Sequence, residues 1–282
     1  MKLKEKVWEI LFLLAAGFSI LAVLLICVFL FINGIPAMQK IGLFNFLLGK
    51  NWKPGNELFG IFPMILGSIY VTAGAIIFGV PIGLLTAIFL SKFCPKNLKK
   101  ILKAAIDLLA GIPSVVYGFF GLMVIVPFVR NCFGGNGSSI LTASILLGMM
   151  ILPTIISVSE NALDAVPSSY YEGARALGET HEKSVFRTVV PAAKSGIMAG
   201  IILGIGRAIG ETMAVIMVAG NQARIPNSIL KGIRTLTANI VIEMGYATDL
   251  HREALIATGV VLFVFILLIN LLFNMVKKRS KA

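Results

Sequence analysis

Charge and reactive side chains are scarce in this sequence. Only 13% of its 282 residues are charged and only two are histidines, whereas soluble domains carry roughly 25% charged residues. With 57% hydrophobic residues, an ordinary soluble domain is excluded and an integral membrane protein is expected. The three cysteines, Cys27, Cys94 and Cys132, are scattered and imply neither a disulfide framework nor a metal cluster. His181 and His251 are isolated; no metal-ligand spacing includes them, and both read as solvated loop residues. No G-x₄-G-K-[ST] occurs, so the chain has no P-loop. A membrane-embedded enzyme would need a nucleophile–base pair or a metal cluster near a membrane surface, and none is evident. A secondary transporter would need carboxylates inside the membrane; only Glu211 and Asp107 qualify.

What the sequence has is apolar runs. Six are long enough to span a bilayer, near 10–32, 64–90, 107–129, 138–157, 197–219 and 254–276, at about 20 residues per crossing. The first lacks a cleavage site and is kept as a mature helix. The second contains Gly79-Val80-Pro81, where a kink is plausible. The net charge of +12 does not point to nucleic acid, because the bases lie in the short segments between runs. With the N-terminus inside, sixteen lysines and arginines fall on the inner side and eight on the outer. That asymmetry favours both termini in the cytoplasm. The expected architecture is one all-α, six-helix polytopic bundle over residues 1–282. Trp52, in the outer segment 33–63, reads equally as an interfacial anchor or as a packed residue.

The connection 158–196 is long for a bundle, so structure is expected within it. Pro167-Ser168-Ser169 reads as a helix start with Ser168 or Ser169 as cap. Glu172 falls in the first turn, and Gly178 ends the helix in the left-handed conformation. Val190-Pro191 permits a new helical start. The segment Glu172-Gly173-Ala174, then Gly178, then Thr188-Val189-Val190-Pro191 resembles the E-A-A-x₃-G-x₉-I-x-L-P loop of ABC importer permeases. Gly173, Thr188 and Val190 are mild departures from that pattern. The resemblance implies a coupling helix, with Glu172, Gly173, Ala174 and Gly178 seated on a cytoplasmic ATPase subunit. ATP and magnesium would then belong to that separate chain, and this one would be a transport subunit rather than an enzyme.

The fifth run carries Arg207 and Glu211. At helical spacing they share a face with Gly196, Gly200 and Gly204, while Met198, Ile201, Ile202, Ile205, Ile209 and Ile216 form a lipid face. An intramembrane charge must face protein or water. Arg207 and Glu211 stand at i and i+4, within ion-pair reach. They are read either as a structural salt bridge or as an anion site. In the second reading Arg207 offers its fork of donors to a tetrahedral oxyanion. Glu211 then holds Arg207 when cargo is absent or accepts a proton from hydrogen phosphate. Pro113-Ser114, early in the third run, reads either as a plain kink or as a break whose freed carbonyls and Ser114 hydroxyl line a pathway.

Gly206-Arg207-Ala208-Ile209-Gly210-Glu211-Thr212-Met213-Ala214-Val215, with Gly111-Ile112-Pro113-Ser114-Val115-Val116-Tyr117-Gly118 and Phe59-Gly60-Ile61, resembles the permeases of phosphate-specific ABC importers, the PstC kind more than the PstA kind. The likeness implies a type I, MetI-like fold in a bacterial cytoplasmic membrane. It also implies a heterodimer with a PstA-like permease, two PstB-like ATPase subunits and an extracytoplasmic PstS-like phosphate-binding protein. Arg207 and Glu211 match positions implicated in phosphate passage in that family. Either motif alone would also fit sulfate, molybdate or phosphonate permeases.

Overall fold

The structure, a computed structural model, describes residues 2–279; for residues 2–4, 273–274 and 276–279 only the backbone is described. Lys281, counted above with the inner tail, lies outside the described residues. The fold is helical apart from one small hairpin. α1 (Lys2–Ile41) is apolar all round and leans on α14 (Asp249–Arg279) along one side. Close approach there rests on Gly34, which faces Val260 and Ala257. α2 (Leu43–Leu48) leads into an antiparallel hairpin, β1 (Trp52–Lys53) and β2 (Leu58–Phe59), with Trp52 opposite Phe59.

α3 (Phe62–Ile88) runs helically through Gly79-Val80-Pro81. α7 (Ile140–Asp164) is the central helix, started by Ser139, whose hydroxyl accepts the Thr142 N–H. α3 packs along one side of it with Gly74, Gly79 and Gly83 against Ser144, Ile151 and Ile155. α11 (Lys194–Gly210) packs along another, with Gly196, Gly200 and Gly204 against Ala162, Val158 and Ile155. Small residues on both neighbours let three backbones approach closely, as helix association in lipid requires.

Three runs differ from their sequence reading. The third is divided: α4 (Lys96–Gly111) ends, Ile112 is extended at ψ 126°, and α5 (Ser114–Phe120) starts after Pro113. A proline ring disfavours the helical region for the residue before it. Asp107 thus lies on α4, while α5 continues through a π turn (Gly121–Ile125) into α6 (Val126–Phe133). The fourth run extends to Asp164, so residues 158–164 are helix rather than loop. The reason is nonlocal. Lys99 Nζ reaches Glu160 Oε1 at 2.8 Å and Asp164 Oδ2 at 3.0 Å, and Lys103 Nζ reaches Glu160 Oε2 at 3.4 Å. Burial works against the Lys99 ammonium, but its bonds to Glu160 and Asp164 hold its pKa above the ordinary lysine value. Polar residues that look like loop in the sequence are thereby kept on a buried helix.

The fifth run is also divided. α11 stops at Gly210, and α12 (Met213–Val218) begins after Glu211-Thr212. Upstream lie α8 (Ser168–Ala176), α9 (His181–Ser184), a π turn (Val185–Val189) and α10 (Val190–Ala192). Among the described residues, five helices are long and apolar enough to cross a membrane; a sixth crossing needs the pair His181–Ala192 and Lys194–Gly210, bent by 70°. In α6 and α10 the wide turn lies directly before a proline, Pro127 or Pro191. A proline ring clashes with the carbonyl four residues back, and the wider turn makes room for it. Ile205 and Ile209, expected on a lipid face, are buried, because α11 is covered by α3, α7 and α14 together.

The connection 220–253 contains α13 (Leu236–Glu243). Neither histidine is a solvated loop residue. His251 Nε2 meets Glu243 Oε2 at 2.8 Å, and His181 Nδ1 meets the Tyr171 hydroxyl at 2.8 Å with its ring against Phe93. Trp52 is packed: it is buried and donates Nε1–H to Glu243 Oε2 at 2.8 Å.

Candidate functional site: two helix breaks and a coupling helix

The two divided runs meet inside the bundle. α5 starts at the Ile112–Pro113 break and α12 at the Glu211–Thr212 break, and the two pack side by side, with Gly118 against Ala214 and Met217. A Cβ at Gly118 would come within 2.6 Å of Met217 Sδ and 3.0 Å of Ala214 Cα, so a larger residue there would displace Met217 and press on the α12 backbone.

Arg207 lies one turn before the second break. Its only hydrogen bond among the described residues is to Thr154 Oγ1 on α7, at 3.5 Å. Of the five N–H donors of a guanidinium, most have no protein partner. Tyr117, on α5, is within electrostatic reach of Arg207 and donates its hydroxyl to the Leu109 carbonyl at 2.9 Å. Beside Arg207 the helix surface is open: nothing stands within 4 Å of a Cβ built at Gly206 or Gly210, and Leu203 is exposed. The glycine face is therefore split. Gly196, Gly200 and Gly204 serve the α7 contact, while Gly206, Gly210 and Arg207 border open space.

The expected Arg207–Glu211 ion pair is absent among the described residues. The i, i+4 relation assumes a continuous helix, but Glu211 is extended at φ −67° and ψ 129°. Its carboxylate turns to the next helix instead, where Oε1 accepts the Ala214 N–H at 3.2 Å. A carboxylate at a helix start satisfies an orphan donor and is favoured by the helix dipole. Ser114 is partly exposed at the first position of α5 and makes no hydrogen bond among the described residues. Pro113 has no N–H to return to the end of α4; the Leu109 carbonyl there accepts the Tyr117 hydroxyl at 2.9 Å and the Ile112 N–H at 3.3 Å. Thr154, Tyr117 and Thr237 escaped the sequence reading. Their contacts cross between helices, and only the Gly-Glu-Thr at the α11 end hinted at a break.

The segment expected to meet an ATPase forms a short exposed helix, α8. Its start is Pro167 itself, with no side-chain cap from Ser168 or Ser169. Its end is a Schellman turn: Gly178 N–H donates to the Arg175 carbonyl at 3.0 Å and Glu179 N–H to the Ala174 carbonyl at 3.2 Å, with Gly178 at φ +87°. Glu172 and Gly173 face outward with open space, whereas Ala174 is buried against the bundle. Leu177 at the tip is 88% exposed. Replacing Gly178 by valine is expected to cost about 1–2 kcal/mol locally, because a side chain is forced into the left-handed region. Faster amide hydrogen exchange over 168–178, with the rest of the bundle unchanged, checks it.

Comparisons with known proteins give the family and the fold. Residues 79–282 match the family model described as "Binding-protein-dependent transport system inner membrane component". The "Probable ABC transporter permease protein YqgH" of Bacillus subtilis is 39% identical over 264 residues, 91% of this chain and 85% of its own length. The "Phosphate transport system permease protein PstC" of Mesorhizobium japonicum is 38% identical over 265 residues, 86% of this chain and 81% of its own. A solved MetNI methionine ABC transporter superposes with TM-score 0.64 at 20% identity, over 82% of this chain and 99% of its own; this likeness concerns the fold. With an apolar bundle interrupted by two helix breaks, and a family match over nearly three quarters of its length, the chain belongs to the binding-protein-dependent transport system inner membrane components.

Proposed function

We propose that this chain is the permease subunit of an ATP-driven importer of inorganic phosphate, passing the anion from an extracytoplasmic binding protein to the cytoplasm. The observation that carries the reading is Arg207: an intramembrane guanidinium with most donors unpartnered, beside two helix breaks. Burying such a group is costly, so a site that leaves it unpaired is suited to an anion. Phosphate is favoured over other oxyanions by the relatives named as phosphate transport permeases, at 30–38% identity. Arg207 holds the anion by paired N–H bonds, the Ser114 hydroxyl lies on its path, and Glu211 takes up the proton of hydrogen phosphate. Sulfate at neutral pH offers no such proton.

In this reading the partners are a PstA-like permease across the pathway, two PstB-like ATPase subunits at α8 and a PstS-like binding protein outside. ATP and magnesium sit on the ATPase. Both termini face the cytoplasm of a bacterial cell, in keeping with the lysine and arginine asymmetry. Cells that express this chain with its partners should accumulate labelled phosphate in an ATP-dependent manner and leave labelled sulfate outside. The purified chain alone should hydrolyse no ATP. Equal uptake of sulfate would overturn the phosphate assignment while leaving the transport role in place.

A further inference from the structure

α12 is six residues long, too short to be stable as an isolated helix. Yet it follows the substrate-facing break and carries the Glu211 cap. Both of its ends are fastened to one outer element. At the start, the Thr237 hydroxyl on α13 donates to the Glu211 carbonyl at 3.3 Å. Just past the end, Arg234 Nε–H donates to the Asn221 carbonyl at 3.1 Å, and Asn221 Nδ2 donates back to the Ile216 carbonyl at 2.7 Å. Leu236 N–H donates to Ser68 Oγ at 3.0 Å, which fixes the same segment to α3.

Arg234 is held in turn by Glu243, at the other end of α13. Arg234 Nη1 pairs with Glu243 Oε1 and with Asn239 Oδ1. The second Glu243 oxygen receives Trp52 Nε1 from the hairpin and meets His251 Nε2 from α14, both at 2.8 Å. Glu243 is 5% exposed. A buried carboxylate costs a great deal unless it is paired and bonded, and here both oxygens are. The arrangement ties the outer hairpin, α13 and α14 to the two ends of α12. The link from this hub to the break runs along α13 to Thr237, whose hydroxyl reaches the Glu211 carbonyl.

We propose that Glu243 is a positioning residue for transport, holding α13 as a strut that keeps the Glu211–Thr212 break in its observed shape. It acts through Arg234 and Thr237 and touches no substrate. The assignment rests on the transport reading for its purpose, but its test does not depend on any substrate.

The test uses the assembled transporter in membranes, with Cys27, Cys94 and Cys132 replaced by alanine and a reporter Met213→Cys on the exposed start of α12. The rate of modification by a water-soluble maleimide is measured alone, with Thr237→Val, with Glu243→Gln and with both. Each single change should raise the rate by roughly five- to tenfold, the size of one lost buried hydrogen bond. The double variant should exceed the larger single by less than twofold, because both act on one strut. Unchanged rates in the singles, or multiplied effects in the double, would sink the proposal. Thr237→Val removes one hydroxyl, with its bonds to the Glu211 carbonyl and to the Thr235 hydroxyl, and disturbs no charge. If Glu243→Gln fails to assemble, an unchanged rate in Thr237→Val is itself the overturning result. Phosphate uptake is followed in parallel: loose labelling with no uptake of any oxyanion in the parent would refute the phosphate reading and leave the strut intact.

Discussion

Arg207→Gln is expected to lower phosphate uptake at least about a hundredfold. A hydrogen bond to a charged group contributes roughly 1.5–3 kcal/mol, and a guanidinium facing a tetrahedral anion makes two. The loss should be of transport and not of folding. Among the described residues the Arg207 side chain gives the bundle only one hydrogen bond, at 3.5 Å to Thr154, and glutamine leaves a neutral polar side chain on the same face. Membrane insertion and co-purification of the ATPase should therefore be unchanged. Arg207→Lys should fall between, because an ammonium keeps the charge and loses the fork. Uptake at the parental level in Arg207→Gln would leave Arg207 with a structural role at most. The geometry also separates Arg207 from Glu211. Were they an ion pair, Glu211→Gln would resemble Arg207→Gln. Because Glu211 caps α12, Glu211→Gln keeps an acceptor for the Ala214 N–H, and its effect should appear in the pH dependence of uptake rather than in assembly.

How far the sequence carried depended on how local the deciding interaction was. The helix α8 was legible because its determinants lie within twelve residues: Pro167 starts it and Gly178 stops it. Even there the choice of cap was wrong, since a proline at the boundary displaced the serines. The membrane class was legible from composition, and most span centres from the apolar runs. The Arg207–Glu211 pair was misread because the wheel presumes an unbroken helix, whereas Glu211 leaves the helix to cap the next. The lipid face was misread at Ile205 and Ile209 because periodicity reports that a face is apolar, not what covers it. The Lys99–Glu160–Asp164 cluster and the Glu243 hub could not be read at all. Lys99 meets Glu160 and Trp52 meets Glu243 across long stretches of chain, and each pairing makes sense of a polar residue that alone resembles loop.

The second large effect is expected at α8, and there the structure sharpens which residues to change. The loop motif points to Glu172, Gly173, Ala174 and Gly178 as a set, but they do not share a surface. Ala174 is buried against the bundle, Gly178 shapes the turn, and Arg175 spends its Nη1 on the Glu179 carbonyl at 2.8 Å. Of the motif residues only Glu172 and Gly173 face outward, and beside them the exposed surface includes Tyr170 and the 88% exposed Leu177. A leucine left in water at the tip of a rigid helix is a natural anchor for a pocket on a partner, and truncating such anchors typically costs 2 kcal/mol or more. Leu177→Asp should therefore weaken association with the ATPase by roughly 30-fold or more, and Glu172→Lys by a smaller factor, as befits a rim charge. Neither should alter the helix itself, since both side chains point away from the bundle. Ala174→Leu should do the reverse, disturbing the packing of α8 before it disturbs docking. Co-purification of the ATPase, set beside hydrogen exchange over α8, distinguishes the two. If Leu177→Asp retains the ATPase as well as the parent does, α8 is not the docking element, and the exposed leucine needs another partner.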